Sequence, residues 1–160
     1  MKVRDAVAAD HAAILALNNG AVPHVNALSV EDLAWLSGHA IFFRVVEDAV
    51  GVLGFALVLP SGGDYWSDNY KWFAARYDRF VYLDRVVIAN RARRRGAGRA
   101  LYDALFAFVR GAWPRVTLEV NLRPPNPDSE RFHAALGFTT VGVREYNDGA
   151  SAVLMMVREM

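Results

Sequence analysis

Hydrophobic residues recur along the chain with two periods, near two and near 3.6, and the order in which these alternate predicts a mixed sheet with helices. Met1 to Ala6 reads as a short strand. Ala8 to Asn19 reads as a helix with Ile14 and Leu17 on one side, His11 a candidate for the same side, and Asn18-Asn19-Gly20 as its stop. Ser29 is placed to cap a second short helix, with Asp32 three residues on and Leu33 and Leu36 facing inward. Ile41 to Val46 and Val52 to Leu59 form a hairpin pattern across residues 47–51. Ser61 to Tyr77 carries two glycines and then Tyr65, Trp66, Tyr70, Trp72, Phe73 and Tyr77, and is read as a loop followed by a short helix.

The β-branched and aromatic run Arg79 to Ile88 predicts a strand. A basic, glycine-containing turn follows, then a helix from about Gly98 to Arg110 with Leu101, Leu105, Phe108 and Val109 on its apolar side. Arg115 to Asn121 is another strand, a proline-rich turn comes next, and Asp128 or Ser129 is expected to cap a short helix ending at Gly137. Thr139 to Tyr146 and Ala152 to Glu159 close the chain as a hairpin across Asn147-Asp148-Gly149. The order β-α-α-β-β-(α)-β-α-β-α-β-β implies an α/β (α+β) fold, with a mixed sheet and helices on both faces.

Composition narrows the classes that remain. The 160 residues suit one domain spanning 1–160, and 54% hydrophobic with 22% charged is an ordinary globular balance. A net charge of +1 gives no global pull toward nucleic acid or an anionic membrane, so electrostatic recognition must be local. The absence of cysteine removes disulfides, thiolate-bound zinc and a cysteine nucleophile. The N-terminus has no apolar stretch of signal-peptide length, and Val50 to Pro60 is too short for a membrane span, so a soluble cytoplasmic protein is expected.

The chemistry concentrates between Val86 and Leu101. An apolar strand enters a turn holding Arg91, Arg93, Arg94 and Arg95, and the turn opens a helix whose first residues include Gly96 and Gly98. Amides at a helix start have no partner within the helix, and the dipole adds about half a positive charge there. Glycines let a bulky anion approach the backbone. The segment therefore reads as a diphosphate cradle. A solvated basic turn and a nucleic-acid patch are the other readings of the same charges. No Gly-Lys-Ser/Thr follows, and no third glycine extends the pair as in a dinucleotide fold.

Arg93-x-x-Gly96-x-Gly98 resembles the R/Q-x-x-G-x-G/A signature of the GNAT superfamily of N-acetyltransferases. Downstream, Asn126-x-x-Ser129-x-x-Phe132-His133-x-x-Leu136-Gly137-Phe138 resembles the family's N-x-x-A-x-x-x-Y-x-x-x-G-F segment, and the element order is similar over nearly the whole chain. The resemblance implies a mostly antiparallel sheet with one splayed parallel pair, here Arg79–Ile88 and Arg115–Asn121. It implies acetyl-CoA as cosubstrate, with the thioester entering between those strands and a backbone amide polarising its carbonyl. Its pantetheine arm would lie along Val86, Val87 and Ile88. Its diphosphate would lie on the amides of Arg94, Arg95, Gly96, Ala97, Gly98 and Arg99. Asn126 and Ser129 match further cofactor-contact positions, although Asn126 between two prolines reads equally as a turn residue. No metal is expected, since no His/Asp/Glu cluster has ligand spacing.

Acyl transfer to an amine needs a base for the ammonium and a proton for the departing thiolate. The resemblance implies a tyrosine acid where this chain has His133; a histidine can donate at neutral pH, or pack beside the cofactor sulfur. Glu119, mid-strand between Leu118 and Val120, matches a glutamate that activates the amine through water in some members. Asp84 is the second candidate base, with an ion pair to Arg85 as its other reading. The aromatic stretch 65–77, with Asn19, His24 and Asn69 as polar candidates, is either an acceptor lid or a satellite core or dimer surface, the latter leaving room for a homodimer. Two functions follow: an N-acetyltransferase acting on an amine of a small molecule or peptide, or a non-catalytic acyl-CoA-binding module. Neither nucleic acid nor membrane is an expected partner.

Overall fold

The elements of the computed structural model, which describes residues 1–160, follow the order that the patterning predicts. They are β1 (Lys2–Asp5), α1 (His11–Gly20), α2 (Val30–His39), β2 (Phe42–Glu47), β3 (Val52–Pro60), α3 (Asp68–Ala74), β4 (Val81–Ile88), α4 (Ala97–Val109), β5 (Arg115–Arg123), α5 (Pro127–Ala135), β6 (Thr139–Tyr146) and β7 (Ser151–Glu159). The strands hydrogen-bond in the order β1-β2-β3-β4-β5-β7-β6. The sheet is mostly antiparallel; its one parallel pair, β4 with β5, is registered at Val81↔Val116 and Tyr82↔Thr117. By contact the chain divides into two compact units, residues 1–60 with 83–108 and residues 61–82 with 109–160. No helix is long and apolar enough to cross a membrane.

In the first unit, β1, β2 and β3 form an antiparallel meander. Leu53 to Leu59 of β3 are buried without interruption, which is why that stretch reads as a continuous apolar run rather than an alternating one. Ser29 caps α2 as expected, its hydroxyl accepting the Asp32 amide at 2.9 Å, and Leu33 and Leu36 of that helix are buried. Each such side chain contributes about 1.5–3 kcal/mol of burial. Two expectations change. The buried side of α1 is Ile14 with Asn18, a polar residue, while Leu17 is half-buried. Phe108 of α4 is exposed rather than inward, its ring tilted 60° to that of Phe42 at 5.6 Å with the Arg44 guanidinium over both rings. Gly54 is required by crowding: a Cβ there would lie 2.6 Å from the Val87 carbonyl oxygen and 2.6 Å from Ile88 Cδ1. Its absence lets β3 lie against the end of β4, where the Ala89 amide donates to the Leu53 carbonyl at 2.7 Å.

In the second unit, β5 pairs with β7 from Arg115↔Glu159 to Arg123↔Ala152, and β7 pairs with β6. The Asn147-Asp148-Gly149 turn has φ of 52°, 55° and 84°, the left-handed backbone that these residue types tolerate. The aromatic stretch forms a satellite core: Tyr65, Tyr70 and Phe73 are buried and pack tilted or edge-on against Tyr82. Trp72 occupies the space where a Cβ on Gly142 would stand, and the β6–β7 register shifts between Thr140 and Gly142. The cap of α5 corrects the sequence reading. It is Asn126, whose Oδ1 accepts the Ser129 amide at 3.3 Å, and not Asp128 or Ser129. Pro127 takes the first helical position, where its fixed φ suits the helix and its missing N–H costs nothing.

Candidate active site

Beyond Ile88 the chain makes a 3-10 turn at Asn90–Ala92, then passes through Arg94 and Gly96 with φ of 63° and 84° before α4 begins. The Ala100 amide donates to the Gly96 carbonyl at 2.9 Å, so Gly96 stands at the cap. The amides of Ala97, Gly98 and Arg99 then precede any helical acceptor. A Cβ at Gly96 would meet nothing within 4 Å, so the glycine answers to backbone conformation and open approach rather than to packing. Arg93, Arg94, Arg95 and Arg99 are exposed around this start.

Asp48, in the β2–β3 turn, anchors the loop. Its Oδ1 accepts the amides of Val50 and Gly51 at 2.9 and 3.2 Å, and its Oδ2 faces Arg91 at 3.2 Å and Arg95 at 3.5 Å. Partial burial works against its charge, yet the Val50 and Gly51 amides and Arg91 outweigh it and hold the carboxyl at about 2. Two of the turn's arginines are thus oriented by a carboxylate that stays ionised, whereas Arg93 lines a cavity.

That cavity, of about 430 Å³, has Val87, Ile88 and Arg93 on one wall and Leu17, Val22 and His24 on another. The first wall contains residues that the sequence assigns to the pantetheine arm; the second comes from a segment about seventy residues away in the chain. Residues 18–28 are held there by side-chain amides. Asn18, fully buried, donates to the Asn26 carbonyl at 2.9 Å, and Asn19 both accepts from the Leu28 amide and donates to the Leu28 carbonyl. Arg85 extends this network, donating to Asn18 Oδ1 at 3.0 Å and to the Asn26 carbonyl at 3.1 Å. Asn19 thus clamps the loop. Asn69, another of the three polar candidates, accepts from Arg144 at 2.6 Å, and the third, His24, lines the cavity.

Of the two carboxylates proposed as bases, Asp84 lies against Arg85 at 2.7 Å, with side-chain exposures of 4% and 9%. The ion-pair reading describes it. Glu119 is half-buried in β5, and the Tyr82 hydroxyl lies 2.8 Å from each of its carboxylate oxygens. Strand alternation puts Tyr82 on the same face as Asp84, but its pairing with Glu119 joins residues 37 apart in sequence and has no local signal.

His133 is buried in α5, its ring edge-on to Phe132 and Phe138. Nδ1 lies 2.7 Å from the Ser129 carbonyl oxygen, a contact that requires Nδ1–H, and 3.3 Å from the Ser129 hydroxyl. Nε2 of the neutral ring is then an acceptor. Burial lowers the ring's pKa, with the Ser129 contact opposing it, so the neutral form is favoured. Ser129 and Asn126, expected to touch the cofactor, are engaged in this helix start.

No curated protein matches the sequence. Solved structures match the fold over nearly the whole chain. The ribosomal-protein-S18-alanine N-acetyltransferase of Escherichia coli is 17% identical, with a TM-score of 0.76, covering 99% of this chain and 92% of its own. Naa20 of Chaetomium thermophilum, solved with a bisubstrate analogue, is 21% identical at 0.79, covering 100% and 87%. Ard1 of Thermoplasma volcanium is 21% identical at 0.77, covering 99% and 97%. The model of the acetyltransferase (GNAT) family matches residues 13–138, a span that includes the basic turn, Glu119 and His133. The chain belongs to the acetyltransferase (GNAT) family.

Proposed function

We propose that this chain is a cytoplasmic N-acetyltransferase, a single catalytic domain that moves an acetyl group from acetyl-CoA to an amine of a small molecule or peptide. The observation that carries the donor side is the loop from Arg93 to Arg99, where two positive-φ residues turn helix-start amides outward among four exposed arginines. Those amides suit the diphosphate, and the cavity bounded by Val87, Ile88 and Arg93 suits the pantetheine arm. Acetyl-CoA supplies the acyl thioester; the amine nitrogen bonds to its carbonyl carbon as the carbon–sulfur bond breaks, and the proton the nitrogen sheds after attack goes to the departing thiolate, which leaves as the CoA thiol.

Glu119 is the base in this reading. It takes the proton that the acceptor ammonium must lose, directly or through a water. Asp84 has no part in the chemistry, because a buried guanidinium already claims it. His133 is assigned a packing and hydrogen-bonding role. A ring kept neutral, with its one proton directed at the Ser129 carbonyl, has none at Nε2 to give to a thiolate. A thiolate with a pKa of about 8.5 needs little help at neutral pH.

The test is release of free thiol from acetyl-CoA against a panel of primary amines and peptides. Amine-dependent release is expected, falling about a hundredfold or more in Glu119→Gln, as loss of a general base does. Saturable acetyl-CoA binding without release toward any amine would instead favour a non-catalytic binding module.

A further inference from the structure

We infer that Tyr82 is a positioning residue of the acyl-transfer reaction, holding the Glu119 carboxylate through its phenolic hydroxyl. The inference rests on Glu119 being the base. Tyr82 is 1% exposed and lies among Tyr65, Tyr70 and Phe73. Phenylalanines fill neighbouring places in the same cluster, so packing alone does not call for a hydroxyl at position 82. The hydroxyl meets both oxygens of Glu119 at 2.8 Å. A phenol has one hydrogen, so these two contacts are one bond shared between the oxygens.

A shared bond of this kind has two consequences. It fixes the plane of the carboxylate, whose final torsion is otherwise broad and soft. It also leaves each oxygen further lone pairs for an ammonium or a bridging water. Glu119 is half-buried in β5, and taking an ionised carboxylate partly out of water without a donor is costly. The phenol offsets part of that cost and favours the ionised form, the one able to accept a proton. Tyr82 keeps its own proton throughout; the proton from the acceptor goes to Glu119.

The experiment compares wild type, Tyr82→Phe, Glu119→Gln and the double variant by pH–rate profile, Michaelis constants and thermal melting. Tyr82→Phe is expected to lower kcat about tenfold, the loss of one hydrogen bond to a charged group. The KM for acetyl-CoA should stay unchanged, and the acid limb of the profile should move to higher pH. The double variant should be no slower than Glu119→Gln alone. Should Tyr82→Phe fail to fold, wild-type enzyme made with 3-fluorotyrosine, whose phenols donate more strongly, should move the same limb to lower pH. If Glu119→Gln is impaired while Tyr82→Phe changes only the melting temperature, the inference is overturned and the base assignment stands. If Glu119→Gln is fully active, the base assignment fails, and this inference with it.

Discussion

The side chains that the sequence offers as candidate acid and base come to different ends because of what each meets. Asp84 and Arg85 neutralise each other in a nearly closed environment. Removing one charge leaves the other buried without its counter-charge, which costs about 3–5 kcal/mol. Asp84→Asn is therefore expected to melt many degrees lower while the acetylation rate of the folded fraction holds near wild type; a stable, inactive variant would return Asp84 to the chemistry. His133 gives a dependence on pH whose sign follows from burial. Its folded pKa is depressed below the ordinary value of 6.5, so below that value the unfolded chain binds more protons and stability falls as pH drops. Above 6.5 the effect is absent. Denaturant unfolding at pH 7.5 and pH 5 should show a loss in wild type that is smaller in His133→Phe, and equal losses would contradict the assignment.

At the scale of elements, the donor loop is held by its neighbours as much as by its own residues. Gly54 allows β3 to approach Val87 and Ile88, and a methyl group there would meet a carbonyl oxygen at 2.6 Å. Gly54→Ala should cost about 1–3 kcal/mol through overpacking and weaken acetyl-CoA binding by displacing the end of β4. A variant of wild-type stability and affinity would show that the two strands have slack. These supports explain what could be read along the chain and what could not. Ser29 and the Asn147-Asp148-Gly149 turn act within a few residues, so local chemistry was enough to place them. Asp128 and Ser129 are equally good cap residues by type, and the helix starts earlier because Pro127 fits the first helical position and leaves Asn126 as the cap. The wall of the cavity from Leu17 to His24, the clamp made by Asn18 and Asn19, and the meeting of Tyr82 with Glu119 depend on contacts between distant segments. Alternation along a strand shows which residues share a face, but not which partner stands across from them.

For the molecule as a whole, the net charge of +1 and the basic turn are compatible because the arginines are few, local and in part committed to Asp48. The turn is thereby suited to one compact polyanion rather than to a long one. The family assignment and the order of elements were legible because two short motifs stood at the right separation in a long pattern of strands and helices. The acceptor was not legible: two of the three polar residues expected to greet it, Asn19 and Asn69, are engaged in holding the fold, and the third, His24, lines the cavity without naming a ligand. Thermal melting of the purified protein against increasing acetyl-CoA tests the central claim most directly. A ligand bound only by the native state adds about 2.7 kcal/mol at one hundred times its Kd, or about 5–10 °C for a chain of this size. A saturable rise of that order is expected, and an unchanged melting temperature at millimolar acetyl-CoA would contradict the account.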